Sequence, residues 1–318
     1  MGGIGLHRMT AGQRNWLGFG AVCAPMAIAA GGGGVLGALA ALALAAMLDA
    51  LLGCLAPEEG AAASLPRWLC VLELAFLVPA AAACAAMAPA CWPEGGAFPL
   101  FPLALLAFGA MAARVGAEGF GRGAVLLGGA AALLLGLVLA AAALEPGRDL
   151  EPGTWKGGAP VWGAAALALS VRQLPAQRGK GGVLWAGLGA FTLLLLAATA
   201  GTERGMPVLT AAQGVRISGS LGRFEALVSA ALTAGLCLTL GLLGCLAGEF
   251  LGALAVPKRL GGWIMAPAAG ILFGIEGLPA WVLLAGASIF WGAAPLAALW
   301  IGQRGEIPKK SKKKEKSS

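Results

Sequence analysis

The chain has 318 residues, 59% of them hydrophobic and only 12% charged, with a formal net charge of +7, and its mean hydropathy is +0.84. Soluble domains carry about 25% charged residues. There is too little polar surface here to coat a water-facing globule, which excludes a soluble enzyme and a disordered scaffold. The chain belongs in a bilayer, and its 52 glycines and 18 prolines suit a membrane bundle in which small residues let helices approach.

A hydrocarbon core needs roughly 20 apolar residues per helix. Breaks at charges, prolines and glycine clusters give ten predicted spans: Trp16 to Ala30, Val35 to Leu55, Trp68 to Ala90, Phe98 to Ala113, Ala124 to Leu144, Pro160 to Val171, Val183 to Ala200, Glu225 to Val256, Trp263 to Ile275 and Pro279 to Ile301. Together they form an all-α transmembrane domain over residues 1–305, followed by a basic tail, 306–318. The start of the first span also fits a signal peptide, with His7, Arg8 and Arg14 ahead of an apolar run ending Ala27-Ile28-Ala29. Its cleavage would leave nine spans.

Charge decides between these counts. With ten spans, 17 of the 22 Lys and Arg fall on one side, including Arg8, Arg14, Arg67, Arg122, Arg172, Lys258 and six tail lysines; Arg148, Lys156, Arg204, Arg216 and Arg223 fall on the other. Without the tail the ratio is still 11 to 5. An odd number of spans destroys the asymmetry, so the positive-inside rule places both termini in the cytoplasm. Trp16, Trp68, Trp92, Trp155, Trp263 and Trp300 fall near the expected interfaces, where an aromatic belt belongs.

One His and no Tyr leave few groups for proton transfer, so no enzymatic role and no cofactor are expected. The seven cysteines lie in apolar stretches with no CxxC and no His at ligand spacing, and read as small buried hydrophobes rather than a metal site. Ionisable residues within spans are the functional candidates. Asp49 lies late in span two and snorkels to the interface on the simplest reading, whereas Glu73 sits far enough into span three to reach inward. Glu249 lies about 36 Å beyond Glu225 on a helix, near the opposite interface, to pair with Lys258 or Arg259. Glu118 and Arg122, four apart, share one helix face and can pair, as a structural gate or a contact with another subunit. Arg223 and Glu225, two apart, tether the entry to span eight to different neighbours.

Ten spans divide into two sets of five, and the opening span of each is atypical. The first is interrupted at Ala24-Pro25 and runs into four glycines; the sixth follows Gly157-Gly158-Ala159-Pro160 and stops at Arg172 and Pro175. Paired interruptions point to a transporter of inverted repeats with its ligand at mid-membrane; the abundance of Gly and Pro supplies the same pattern by coincidence.

Four local patterns carry a family resemblance. They are Gln13, Trp16 and Leu17 at the mouth of span one; Gly116, Glu118 and Arg122 between spans four and five; Leu150, Pro152, Lys156, Gly157 and Pro160 before span six; and Pro207, Leu209, Ile217, Leu221, Arg223, Glu225, Ala226 and Leu227 before span eight. In this the chain resembles the B subunits of bacterial spore germinant receptors, of the amino acid, polyamine and organocation transporter superfamily. The resemblance implies a ten-helix, 5+5 inverted-repeat, LeuT-like fold with interrupted helices 1 and 6, a multi-pass location in the inner spore membrane, recognition of a small nutrient such as an amino acid, and assembly with A and C subunits. It places the ligand against Ala24, Pro25 and Met26 of span one and Ala165, Ala168 and Leu169 of span six, with Leu74 and Thr233 at the sides. An amino-acid permease of the same fold and a non-binding structural subunit are the alternatives. The tail, Lys309 to Lys316, is solvated or contacts anionic lipid; no nucleic-acid partner is expected.

Overall fold

The structure, a computed structural model, describes residues 8–29, 35–56, 60–92, 100–144, 158–177, 179, 181–200, 207–215, 224–273 and 286–302. These residues are helical, with no strand among them beyond an isolated bridge between Met9 and Ala176. In lipid every backbone N–H and C=O has to be satisfied within its own segment, and Ala- and Leu-rich runs do this as helices. The elements are α1 (Ala11–Ala29), α2 (Val35–Leu55), α3 (Arg67–Ala86), α4 (Leu100–Ala143), α5 (Gly158–Ser170), α6 (Gly182–Thr199), α7 (Pro207–Gly214), α8 (Phe224–Ala253), α9 (Gly261–Phe273) and α10 (Gly286–Gly302). Five of the helical stretches, Val35–Leu55, Arg67–Cys91, Leu100–Ala143, Gly182–Thr199 and Phe224–Ala253, are long and apolar enough to cross a membrane.

Where it is described, each predicted span overlaps one of these helices, spans four and five both overlapping α4; Ala30, 98–99, 274–275 and 279–285 lie outside the described residues. The 44 residues of α4 are divided by Gly116, whose φ of 79° and ψ of 164° break the helix. That region is essentially restricted to glycine. The tail lies outside the described residues.

The helices are packed inside out relative to a soluble protein. On α2, Ala38, Ala41, Leu42, Ala45 and Leu52 are buried, while Leu36, Leu39, Leu44, Met47 and Leu51 are exposed. Between lipid-solvated helices no hydrophobic force distinguishes a leucine facing lipid from one facing protein, so close contact is made by small residues and van der Waals fit. A Cβ added at Gly244 of α8 would strike the carbonyl of Gly109 on α4, and one at Gly262 of α9 would lie 2.6 Å from the Ala110 backbone. Trp16, Trp68, Trp92, Trp263 and Trp300 are all exposed, as an interfacial belt requires.

Two sets of helices emerge. In one, α1 and α2 each pack on α5 and α6; in the other, α3, α4, α8 and α9 pack on each other; α1 joins the sets by lying against α4 and α8, and α6 by lying against α4. The pairings repeat between the halves of the chain: α2 with α5 and α1 with α6, α3 with α9 and α4 with α8.

The expected interruption at Ala24-Pro25 is corrected by the structure: α1 is helical from Ala11 through Pro25 to Ala29. Pro25 has no N–H to give to the carbonyl of Ala21, four residues earlier. The Thr239 hydroxyl of α8 donates to that carbonyl at 2.6 Å instead, so the helix passes the proline without leaving a buried acceptor empty. Likewise α5 is regular from Gly158 to Ser170 and tightens into a 3-10 turn over Val171–Gln173 before the extended Leu174. In α10 a π-helical turn at Ile289–Ala293 precedes Pro295.

Candidate functional site

Loops that the sequence assigns to one membrane face meet at one end of the molecule. There a cavity of about 680 Å³ is lined by Arg8, Glu118, Arg122, Pro175, Glu249 and Lys258, among others. Its rim is organised by ion pairs. Arg122 donates to Glu118 one helical turn away, and Lys258 donates to Glu249, the first of the two partners expected for Glu249. Their cationic side chains remain more than half exposed, so each pair contributes at most about 1 kcal/mol. The mouth is charged and shaped without being rigidly locked. Glu225 opens α8, where an acid suits the helix N-terminus; Arg223 lies outside the described residues.

Beneath the mouth sits a buried polar cluster that the sequence reading missed. Asp49 does not snorkel: it is 3% exposed, and Arg172 grips both of its carboxylate oxygens, Nε to Oδ1 and Nη2 to Oδ2, the latter at 2.8 Å. Trp185 Nε1 adds a third donor to Oδ2 at 2.9 Å. Arg14 of α1, also buried, donates to the Gly179 carbonyl at 3.0 Å. The clamp ties the end of α2 to the turn after α5 and the start of α6. A bidentate guanidinium–carboxylate pair with an extra donor is the geometry in which burial of two charges is tolerated. The lone acid of α2 and the lone base ending α5 were the visible signals, but 123 positions separate them.

The residues assigned to ligand binding divide among three neighbourhoods. Ala24, Pro25 and Met26 are buried on α1. Ala24 abuts Gly235 of α8, where an added Cβ would come within 2.5 Å of it. The Met26 sulfur accepts a hydrogen bond from Thr192 of α6 at 3.0 Å. On α5, Ala165, Ala168 and Leu169 are fully buried; Ala168 borders the Asp49–Arg172 cluster, and Leu169 approaches Gly292 of α10 beside Leu48. Leu74 of α3 and Thr233 of α8 are half-buried. The Thr233 hydroxyl accepts from Trp92 Nε1 at 3.0 Å and donates to the Ser229 carbonyl at 2.8 Å. α1 packs on both α5 and α8, so the first two neighbourhoods share a helix.

Glu73 stands apart. It is 0% exposed on α3, and neither carboxyl oxygen has a hydrogen-bond partner. Buried and equally unpartnered are both amide atoms of Gln173 and the indole N–H of Trp291.

Compared with known proteins, the chain matches no family model, and no characterised sequence matches it.

Proposed function

We propose that the chain is the membrane subunit of a spore nutrient germinant receptor, which binds a small nutrient, an amino acid by preference, and signals through a transporter-like rearrangement. The observation that carries this reading is the division into two helix sets whose pairings repeat between the halves, with α1 buried at their junction. Such a division suits a LeuT-like, ten-helix inverted repeat, in which one bundle rocks against the other around a fixed midplane site. The sequence patterns at Gln13, Gly116, Pro152 and Arg223 support the same family.

In this reading the ligand lies along α1, which packs on α5 on one side and on α8 on another. The ligand is held by helix backbone and small side chains more than by titrating groups, and its entry requires α1 and α8 to part where Ala24 packs against Gly235. The arginine-rich mouth faces the cytoplasm under the positive-inside rule, which puts both termini there too, in the inner spore membrane. The Asp49–Arg172 clamp then holds α2 to the turn after α5 on the cytoplasmic side, and the Glu118–Arg122 pair lines the mouth there. A and C subunits read out the change.

The test is direct binding to the purified full-length protein in lipid nanodiscs, titrated with a panel of amino acids and sugars. Saturable binding that Gly235→Leu abolishes supports the site. No binding by the folded protein to any of the panel, together with unchanged germination of a strain lacking this gene and its paralogues, overturns the reading. Saturable uptake into proteoliposomes would identify an active permease instead.

A further inference from the structure

Five acids lie among the described residues, and four have partners: Asp49 with Arg172, Glu118 with Arg122, Glu249 with Lys258, and Glu225 with a contact of its own. Glu73 has none. An ionised carboxylate taken out of water without a counter-charge or donors costs several kcal/mol; a neutral carboxyl in the same place costs about 1–3 kcal/mol. The structure therefore accommodates Glu73 as the acid. Ionisable groups at membrane depth are rare and tied to ion or proton pathways. For packing alone, a glutamine or leucine would serve as well.

The surroundings carry further unmet hydrogen-bonding groups. Phe76, one turn along α3 from Glu73, sets its ring edge-on to Trp291 of α10, centroids 5.4 Å apart, and the Trp291 N–H is a buried donor without an acceptor. Gln173 contributes a second such donor from the turn after α5. That turn packs on Ala61–Ser64, whose Ala62 carbonyl lies 3.9 Å from the sulfur of Cys70, the residue one turn before Glu73. On α3 itself the other titratable groups are Arg67, Cys70 and Cys84, of which Cys70 is one turn away. Of the elements packed against α3, α9 and α10 bring no ionisable group and Ala88–Cys91 brings Cys91. α4 brings Arg114 and the Glu118–Arg122 pair, and α8 brings Glu225, Cys237, Cys245 and the Lys258-bound Glu249. None of these makes a hydrogen bond to the Glu73 carboxyl.

We propose that Glu73 is a proton-binding site: a neutral carboxylic acid in this structure that exchanges its proton with water when α10 shifts against α3. In that step the Glu73 O–H bond breaks heterolytically, the electron pair stays on the carboxylate and water takes the proton. On the turn of α10 that contacts α3, the unmet N–H of Trp291 is the donor that such a shift would bring to bear on the anion. This site does not rest on the nutrient-receptor reading.

Infrared difference spectroscopy of the full-length protein in lipid tests it. At pH 7 an exposed glutamate is protonated only about 0.2% of the time, so the wild type should show a carboxylic-acid carbonyl band that Glu73→Gln lacks. The band should shift after incubation in D₂O. If Glu73→Gln does not accumulate, ¹³C-glutamate in the wild type assigns the band without a variant. Spectra without a glutamic-acid band at pH 7 overturn the proposal, and so does a band that never exchanges in D₂O, which would make the proton a fixed part of the fold.

Discussion

Thr239→Val removes a hydroxyl while nearly conserving volume, and its cost is set by a proline 214 positions earlier in the chain. Thr239 is 0% exposed and its hydroxyl lies 2.6 Å from the Ala21 carbonyl and 2.9 Å from the Gly235 carbonyl. Within α8 the Gly235 carbonyl already receives the Thr239 backbone N–H, so valine leaves that acceptor satisfied. The Ala21 carbonyl has no such reserve, because Pro25 carries no N–H. A lost interhelical hydrogen bond in a membrane costs about 0.6–2 kcal/mol, and an orphaned buried acceptor about 1–3 kcal/mol. Thr239→Val should therefore destabilise by about 1–2 kcal/mol, roughly 5- to 30-fold in the folding constant. In a Pro25→Ala background residue 25 regains its N–H, α1 satisfies its own carbonyl, and the same change should cost no more than about 0.5 kcal/mol. Reversible unfolding of the four proteins in bicelles gives the coupling directly. An equal cost of Thr239→Val in both backgrounds would refute the account of how α1 passes Pro25 unbroken.

Other substitutions separate buried from exposed electrostatics and strain from contact. Arg172→Met leaves Asp49 buried without its counter-ion and should cost about 3–5 kcal/mol, with most of the loss recovered in Asp49→Leu/Arg172→Met; thermal denaturation in detergent measures both, and a single-variant cost below about 1 kcal/mol contradicts the clamp. Glu118→Gln should change stability by no more than about 0.5 kcal/mol in the same assay, since its partner Arg122 is largely exposed. Gly116→Ala meets no atom within 4 Å, so its expected cost of about 1–3 kcal/mol is backbone strain alone; Gly123→Ala, with equally open space but regular helix, should be neutral or stabilising by up to about 1 kcal/mol. Gly244→Ala sets a methyl against the Gly109 carbonyl and should cost about 1–3 kcal/mol, read as a lowered midpoint in urea.

The helices were legible because a bilayer imposes a length. α2 occupies the span expected from its run of alanine and leucine, residue for residue, and the predicted belt tryptophans that are described lie exposed. Which face of each helix points inward was not legible in the same way. Leucine is as content in lipid as in the core, so Leu39 and Leu42 of α2 are indistinguishable in sequence although one is exposed and the other buried. Glu73 was marked as a candidate by its type and position, but its lack of any partner is visible only with its neighbours in place.

The sparse charge of this chain, and where that charge falls along it, determined by itself a chain of apolar helices, five of them long enough to cross a membrane, because dehydrating unpaired arginine and lysine is costly and keeps most of them between the apolar runs. Tertiary structure alone decided that Asp49 meets Arg172 rather than water, and that Thr239 repairs the gap left by Pro25 and keeps α1 continuous. Both contacts join residues more than a hundred positions apart. A hydrogen bond or ion pair depends on ångström-scale approach between segments, and apolar periodicity, identical toward lipid and toward protein, does not encode that approach.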